Sequence, residues 1–127
     1  VLINALPFDR QVKGAESLSA CAELLKNEGN VLIIFPEGTR TTSGQKGRFR
    51  SGIGRLVAGT DLPVVPCHLE GGIRAWPKGK LVPRPLKVHL RIGKPREYGH
   101  MEKSADSVKA ICGDLHEAVA RLGAGIP

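Results

Sequence analysis

The stretch IIFPEGTR, residues 33–40, decides the fold, because an apolar run there breaks abruptly into proline, carboxylate, glycine, hydroxyl and guanidinium. Residues 31–35 are all apolar and largely β-branched, the pattern of a strand covered on both faces. Pro36 has no N–H to give to a ladder, so pairing is expected to stop there. Gly38 permits backbone angles that other residues avoid and lets another group approach closely. Glu37 and Arg40 then stand at the strand's carboxyl end, where open α/β sheets place their ligands. The same eight residues also fit a strand-to-loop turn with a surface ion pair. Alone, they leave both roles open.

Outward from this stretch the chain alternates. Residues 1–5 read as the end of a strand. Residues 17–27 read as a short helix, with Leu18, Cys21, Leu24 and Leu25 on one stripe and Gly29 closing it. After the polar loop 36–47 comes a helix near 51–58, weakened by Gly52 and Gly54. Residues 64–69 form another strand, and 87–92 alternate polar and apolar as a half-exposed strand would. The proline-rich, basic segment 77–85 is a surface loop. A final helix starts near Ser104 and places Ala105, Val108, Ile111, Cys112, Leu115, Ala118, Val119 and Leu122 on one face, with Gly123 and Pro127 ending it. Strands alternating with helices predict an α/β fold, a mainly parallel sheet flanked by helices, in which 31–35 and 64–69 are parallel strands. With no repeat and no linker, residues 1–127 read as a single domain.

Composition sets limits. A chain of 127 residues with 41% hydrophobic content can bury a globular core. No stretch approaches the roughly eighteen consecutive apolar residues of a membrane-spanning helix. Cys21, Cys67 and Cys112 are odd in number and widely spaced, with no C-x-x-C pair, which argues for free thiols in a reducing compartment and against structural zinc. The net charge of +7 is uneven. Residues 38–60 contain Arg40, Lys46, Arg48, Arg50 and Arg55 and no acid. Residues 71–96 contain Arg74, Lys78, Lys80, Arg84, Lys87, Arg91, Lys94 and Arg96, again with no acid. Such surfaces attract phosphates on nucleic acid, on an anionic membrane or on a substrate, or they simply keep a solvated face soluble. Nucleic acid is disfavoured, since three phenylalanines, one tyrosine and one tryptophan make no stacking stripe among the basic residues.

Familiar catalytic patterns are missing. There is no G-x-x-x-x-G-K-[ST] loop, Val57 stands where a dinucleotide fingerprint needs its third glycine, and no serine lies in G-x-S-x-G. Of the four histidines, only His68 has a nearby orienter, Glu70, two residues along a strand and so on the same face. A structural histidine explains it more simply. None of the four begins a His-x-x-x-x-Asp sequence.

Four segments together resemble the glycerolipid acyltransferase family, the lysophosphatidate acyltransferases and their glycerol-3-phosphate relatives. Phe35-Pro36-Glu37-Gly38-Thr39-Arg40 is similar to that family's third motif, and Leu62-Pro63-Val64-Val65-Pro66-Cys67 to its fourth. Ala5-Leu6-Pro7-Phe8-Asp9-Arg10 resembles the tail of the second, and Gly47-Arg48-Phe49-Arg50-Ser51-Gly52 the basic segment leading into the next helix. The resemblance implies acyl transfer from acyl-CoA or acyl carrier protein to a hydroxyl of a lysophospholipid or glycerol phosphate, with no metal or organic cofactor. It implies an acceptor site made by Arg10, Glu37, Gly38, Thr39 and Arg40. Lys46, Arg48 and Arg50 would add contacts to phosphate or donor, and Pro36, Pro63 and Pro66 would support the site or an acyl groove. The implied place is the cytoplasmic side, peripheral on or tethered to the inner face of an anionic membrane.

One departure is plain. The family's His-x-x-x-x-Asp motif, whose histidine takes the acceptor's hydroxyl proton, precedes all these segments. It has no counterpart here, so no catalytic residue is assigned. The chain opens on Val1 inside an apolar run, and it is expected to be part of something longer that carries the motif. A catalytically silent binder of anionic lipid or phosphometabolites is the alternative.

Overall fold

The computed structural model describes residues 14–38 and 47–126. They divide between two compact units, residues 1–34 and 35–127.

In the first unit, α1 (Gly14–Leu25) begins earlier than the 17–27 expected from its stripe and ends sooner. Glu16 in its first turn suits the positive end of the helix dipole. Cys21 is buried, and burial pushes its thiol pKa up. The helix stops where its last carbonyls find other partners: the Asn30 side-chain amide and the Asn27 N–H both donate to Leu24 O, at 2.8 and 3.3 Å. Gly29 follows at φ 88°, which only glycine adopts readily.

Residues 31–35 form no strand, and Val31 is 86% exposed. The expectation of a buried strand covered on both faces is corrected here. A strand needs a neighbour to take its backbone N–H and C=O groups, and no described segment pairs with this one. Apolarity supplies the wish for burial but not the partner. Residues 1–5, the other strand expected near it, lie outside the described residues.

The second unit runs α2 (Gly52–Val57), β1 (Cys67–Glu70), α3 (Gly72–Ala75), β2 (His89–Ile92) and α4 (Ala105–Gly123). The long helix α4 organises it. Ser104, extended at the N-cap, accepts from the Ser107 N–H at 3.2 Å. At the other end Arg91 donates to the carbonyls of Leu122 and Gly123, at 3.1 and 3.3 Å, placing a cation where the dipole favours one. Ile111, Leu115, Ala118 and Leu122 form the buried stripe, as the periodicity predicts, while Ala105 is exposed. Against it lie Leu56, Val57 and Ala58 from α2 and its end. Gly54 makes this approach possible: a Cβ there would stand 2.7 Å from the Val108 carbonyl oxygen and 3.1 Å from Cys112 Sγ.

β1 and β2 pair antiparallel, Cys67 opposite Ile92 and Glu70 opposite His89. Beyond them Val64 and Arg96 exchange both backbone bonds, and Gly93 N–H donates to Pro66 O at 2.8 Å. The expected strands 64–69 and 87–92 are therefore present in outline, but this two-stranded sheet is antiparallel where a mainly parallel one was predicted. Alternation marks a half-buried strand without fixing its partner's direction. Partners in register share a face, so Cys67, Leu69, Leu90 and Ile92 lie together. All four are exposed, and the half-buried His68 and Arg91 occupy the face toward α4.

Candidate functional site

The PEG portion of the opening stretch is a tight turn. Gly38 N–H donates to Phe35 O at 3.1 Å, and Gly38 adopts φ 70°. A β-carbon there would be strained by that angle. It would also meet Arg50, with Nε only 2.5 Å from the position it would take. The guanidinium arm of Arg50 thus lies over the bare Gly38 backbone. Arg50 N–H closes the same contact by donating to Pro36 O at 2.8 Å. Glu37, half-buried, stands beside Gly47, its Cβ 3.6 Å from where a side chain on that glycine would begin.

What holds Arg50 in place comes from the core. Phe49 packs edge-to-face on His116 of α4, ring centroids 5.1 Å apart, and Cys112 Sγ approaches Arg50 O at 3.6 Å. The next residue, Ser51, leads into α2. Segment 47–50 is therefore a splint: one side rests on α4, and the other carries the turn. Arg48 and Arg50, both exposed, flank the half-buried Phe49.

The structure brings Arg50 to the Pro36–Gly38 turn, twelve to fourteen positions away in sequence. Arg10, Thr39, Arg40 and Lys46 lie outside the described residues. Pro63 is exposed beside the Val64–Arg96 bridge, and Pro66 is buried in packing, close to Gly93 and so to Leu122 of α4. Glu70, the expected orienter of His68, instead meets Arg91 at 3.1 Å. Among the described residues no group of three His, Cys, Asp or Glu side chains could hold a metal ion.

One cluster went unread in the sequence. Arg96 Nη1 donates to both carboxylate oxygens of Asp114, at 2.6 and 2.8 Å, and the Tyr98 hydroxyl donates to Oδ2 at 2.6 Å. Burial first, and the bond to Asp114 second, push the Tyr98 phenol pKa far above its usual value. An open hollow of about 400 Å³ borders this cluster. Its legible signal was the Arg-x-Tyr spacing, which in an extended chain points both side chains the same way. The arrangement clamps the chain after β2 onto α4.

The arrangement sets the exposed guanidinium of Arg50 beside a glycine turn, with the Glu37 carboxylate close to the same turn. The sequence model of the Acyltransferase family matches residues 2–70. The chain is similar to the 1-acyl-sn-glycerol-3-phosphate acyltransferase of Cocos nucifera, 36% identical over 75% of this chain and 32% of that protein. It is similar to the enzyme of the same name from Limnanthes douglasii, 32% identical over 87% of this chain and 41% of that one. A third, from Bacillus subtilis, is 29% identical over 94% and 58% of the two chains. The chain thus spans between about a third and three-fifths of the length of these relatives. No solved structure matches it.

Proposed function

We propose, from the premise that this chain belongs to the acyltransferase family, that the whole protein moves a fatty acyl group from a thioester to a phosphorylated glycerol acceptor in phospholipid biosynthesis. The donor is acyl-CoA or acyl carrier protein, and the acceptor is 1-acyl-glycerol 3-phosphate or a close relative. The relatives' names support this choice of acceptor. The observation that carries the site is the contact between Arg50 and the Gly38 turn.

In this proposal the acceptor's phosphate lies at the mouth of the turn. Arg50 and Arg48 offer planar forks that take phosphate oxygens two at a time, and Arg10, Arg40 and Lys46 add charge. Gly38 N–H already serves the turn, so Thr39 is the neutral donor left nearby. Glu37 orients an arginine or accepts a bond from the glycerol hydroxyl. Pro36 and Pro63 stiffen their backbone and border the acyl chain, and Pro66, buried in packing, supports the segment from beneath. The hydroxyl oxygen attacks the thioester carbonyl, the C–S bond breaks, and the hydroxyl proton ends on the departing thiol. No redox step or organic cofactor is needed. The whole protein builds a mainly parallel sheet, and the chain forms part of a single domain there. The enzyme works peripherally at the cytoplasmic face of an anionic membrane; among the described residues no helix is long and apolar enough to cross it.

A glycerol hydroxyl is a weak nucleophile at neutral pH, and a positioned base contributes about 10²–10⁴-fold. This chain has no His-x-x-x-x-Asp pair, so alone it binds acceptor without turning over. The test compares the 127-residue chain with a form carrying that motif upstream, each given a long-chain acyl thioester and lysophosphatidate. Turnover by the extended form only is expected. Turnover by the short form, abolished by His68→Ala, would show that the base is misassigned; inactivity of both would favour a silent binder.

A further inference from the structure

Segment 76–84 is an ordered loop that lifts apolar side chains into solvent. Its ends are tied by Arg84 N–H donating to Ala75 O at 2.6 Å. Within it, the Trp76 indole donates to Lys80 O at 2.7 Å, and Lys80 N–H donates to Pro77 O at 3.2 Å. These bonds stiffen the first half and leave the next two residues at the tip: Leu81 is 95% exposed and Val82 75%. Around them Lys78, Lys80, Arg84 and Lys87 are all exposed, and residues 71–96 contain no acid. Leu81 and Val82 stand side by side at the tip of a braced frame rather than scattered singly, and a buried contact with protein would not want so many lysines beside it. An apolar tip, an indole at half depth and a ring of cations match the layers of an anionic bilayer: hydrocarbon, interface and charged headgroups.

We propose that the 76–84 loop is a membrane-insertion element, with Leu81 and Val82 entering the acyl layer of an anionic membrane, Trp76 at the interface, and Lys78, Lys80, Arg84 and Lys87 on headgroup phosphates. This deepens, and rests on, the proposed function at a membrane surface. It gives the basic stretch a defined orientation: charge selects the surface and the tip anchors it. The device needs no spanning helix.

Trp76 is the single tryptophan of the chain, which makes it a native depth probe. The 127-residue chain is mixed with vesicles of phosphatidylcholine alone or of phosphatidylcholine with phosphatidylglycerol, and Trp76 emission and co-sedimentation are followed. With anionic vesicles the emission should move to the blue and be quenched by brominated acyl chains; neutral vesicles should do far less, and added salt should weaken binding. Leu81→Asp with Val82→Asp should lower partitioning at least about tenfold, since two apolar groups are withdrawn from hydrocarbon. Because both positions are exposed, its far-UV spectrum and melting should match wild type. Lys78→Glu with Lys80→Glu should abolish the preference for anionic lipid. Vesicle binding that leaves Trp76 unquenched, or that survives the tip variant unchanged, would overturn the proposal. The enzymatic reading fails on a different result, absence of acyl transfer by the form carrying the upstream His-x-x-x-x-Asp motif to lysophosphatidate dispersed in detergent, where no bilayer is present.

Discussion

Residues 31–35 are wholly apolar and helix α4 carries an apolar stripe, yet one lies open and the other forms the core of its unit. Val31, Ile33 and Phe35 are exposed. Ile111 is fully buried, with Leu115, Ala118 and Leu122 along the same stripe. The difference lies in where each gets its backbone partners. A helix satisfies its own N–H and C=O groups within four residues, so it needs from elsewhere only a surface to bury its stripe. A strand cannot satisfy itself at all. Its hydrogen bonds and its covering faces must both come from other segments. Apolar sequence therefore fixes a helix's place far more completely than a strand's.

The sharpest way to break this comparison is to truncate an apolar side chain in each region. Ile111→Ala should cost about 2–5 kcal/mol, because transfer and cavity terms add at a closed site. Ile33→Ala, in the exposed run, should stay within about 0.5 kcal/mol. Denaturant midpoints would decide it. Equal losses would mean that 31–35 is covered after all.

A smaller effect is expected where α2 crosses α4. Gly54→Ala puts a methyl group 2.7 Å from a backbone oxygen, so the helices must part, at a cost of about 1–3 kcal/mol. Thermal melting checks this. An unchanged or raised melting temperature would show that the helices have room to part.

Tyr98→Phe removes one hydrogen bond to a charged group, worth roughly 1.5–3 kcal/mol when both partners are well held and less here, because Asp114 is partly open to water. Its pH dependence has a fixed sign. The folded-state pKa lies above the unfolded value, so the contribution is complete below about pH 10, the ordinary tyrosine pKa, and fades as pH rises through the folded value. As the only tyrosine, Tyr98 can be titrated by its own absorbance. A phenol that ionises near pH 10 in the folded protein would contradict the clamp.

Legibility followed the same division. The Ser104 cap, the stripe of α4 and the helix near Gly52 could be read because their signals repeat within a few residues. The places of β1 and β2 were legible in outline, but not their antiparallel pairing, since alternation looks alike whichever way the neighbour runs. Single-turn α3 carries too few residues to show a period. Around the site, PEG announced a turn and residues 47–52 a basic segment. That Arg50 folds back over Gly38 depends on Phe49 meeting His116, a contact spanning 67 positions that no local pattern encodes.

The central claim is that the PEG turn and Arg50 together hold the acceptor's phosphate. Steady-state kinetics of Arg50→Lys in the active enzyme, with acceptor and donor varied separately, test it most directly. Lysine keeps the charge but loses the fork, so one charge-assisted bond of roughly 1.5–3 kcal/mol should go. The expected result is an acceptor kcat/KM lower by about ten- to a hundredfold with donor KM nearly unchanged. Wild-type acceptor kinetics, or an equal loss on both substrates, would reduce Arg50 to a prop for the turn and contradict the account.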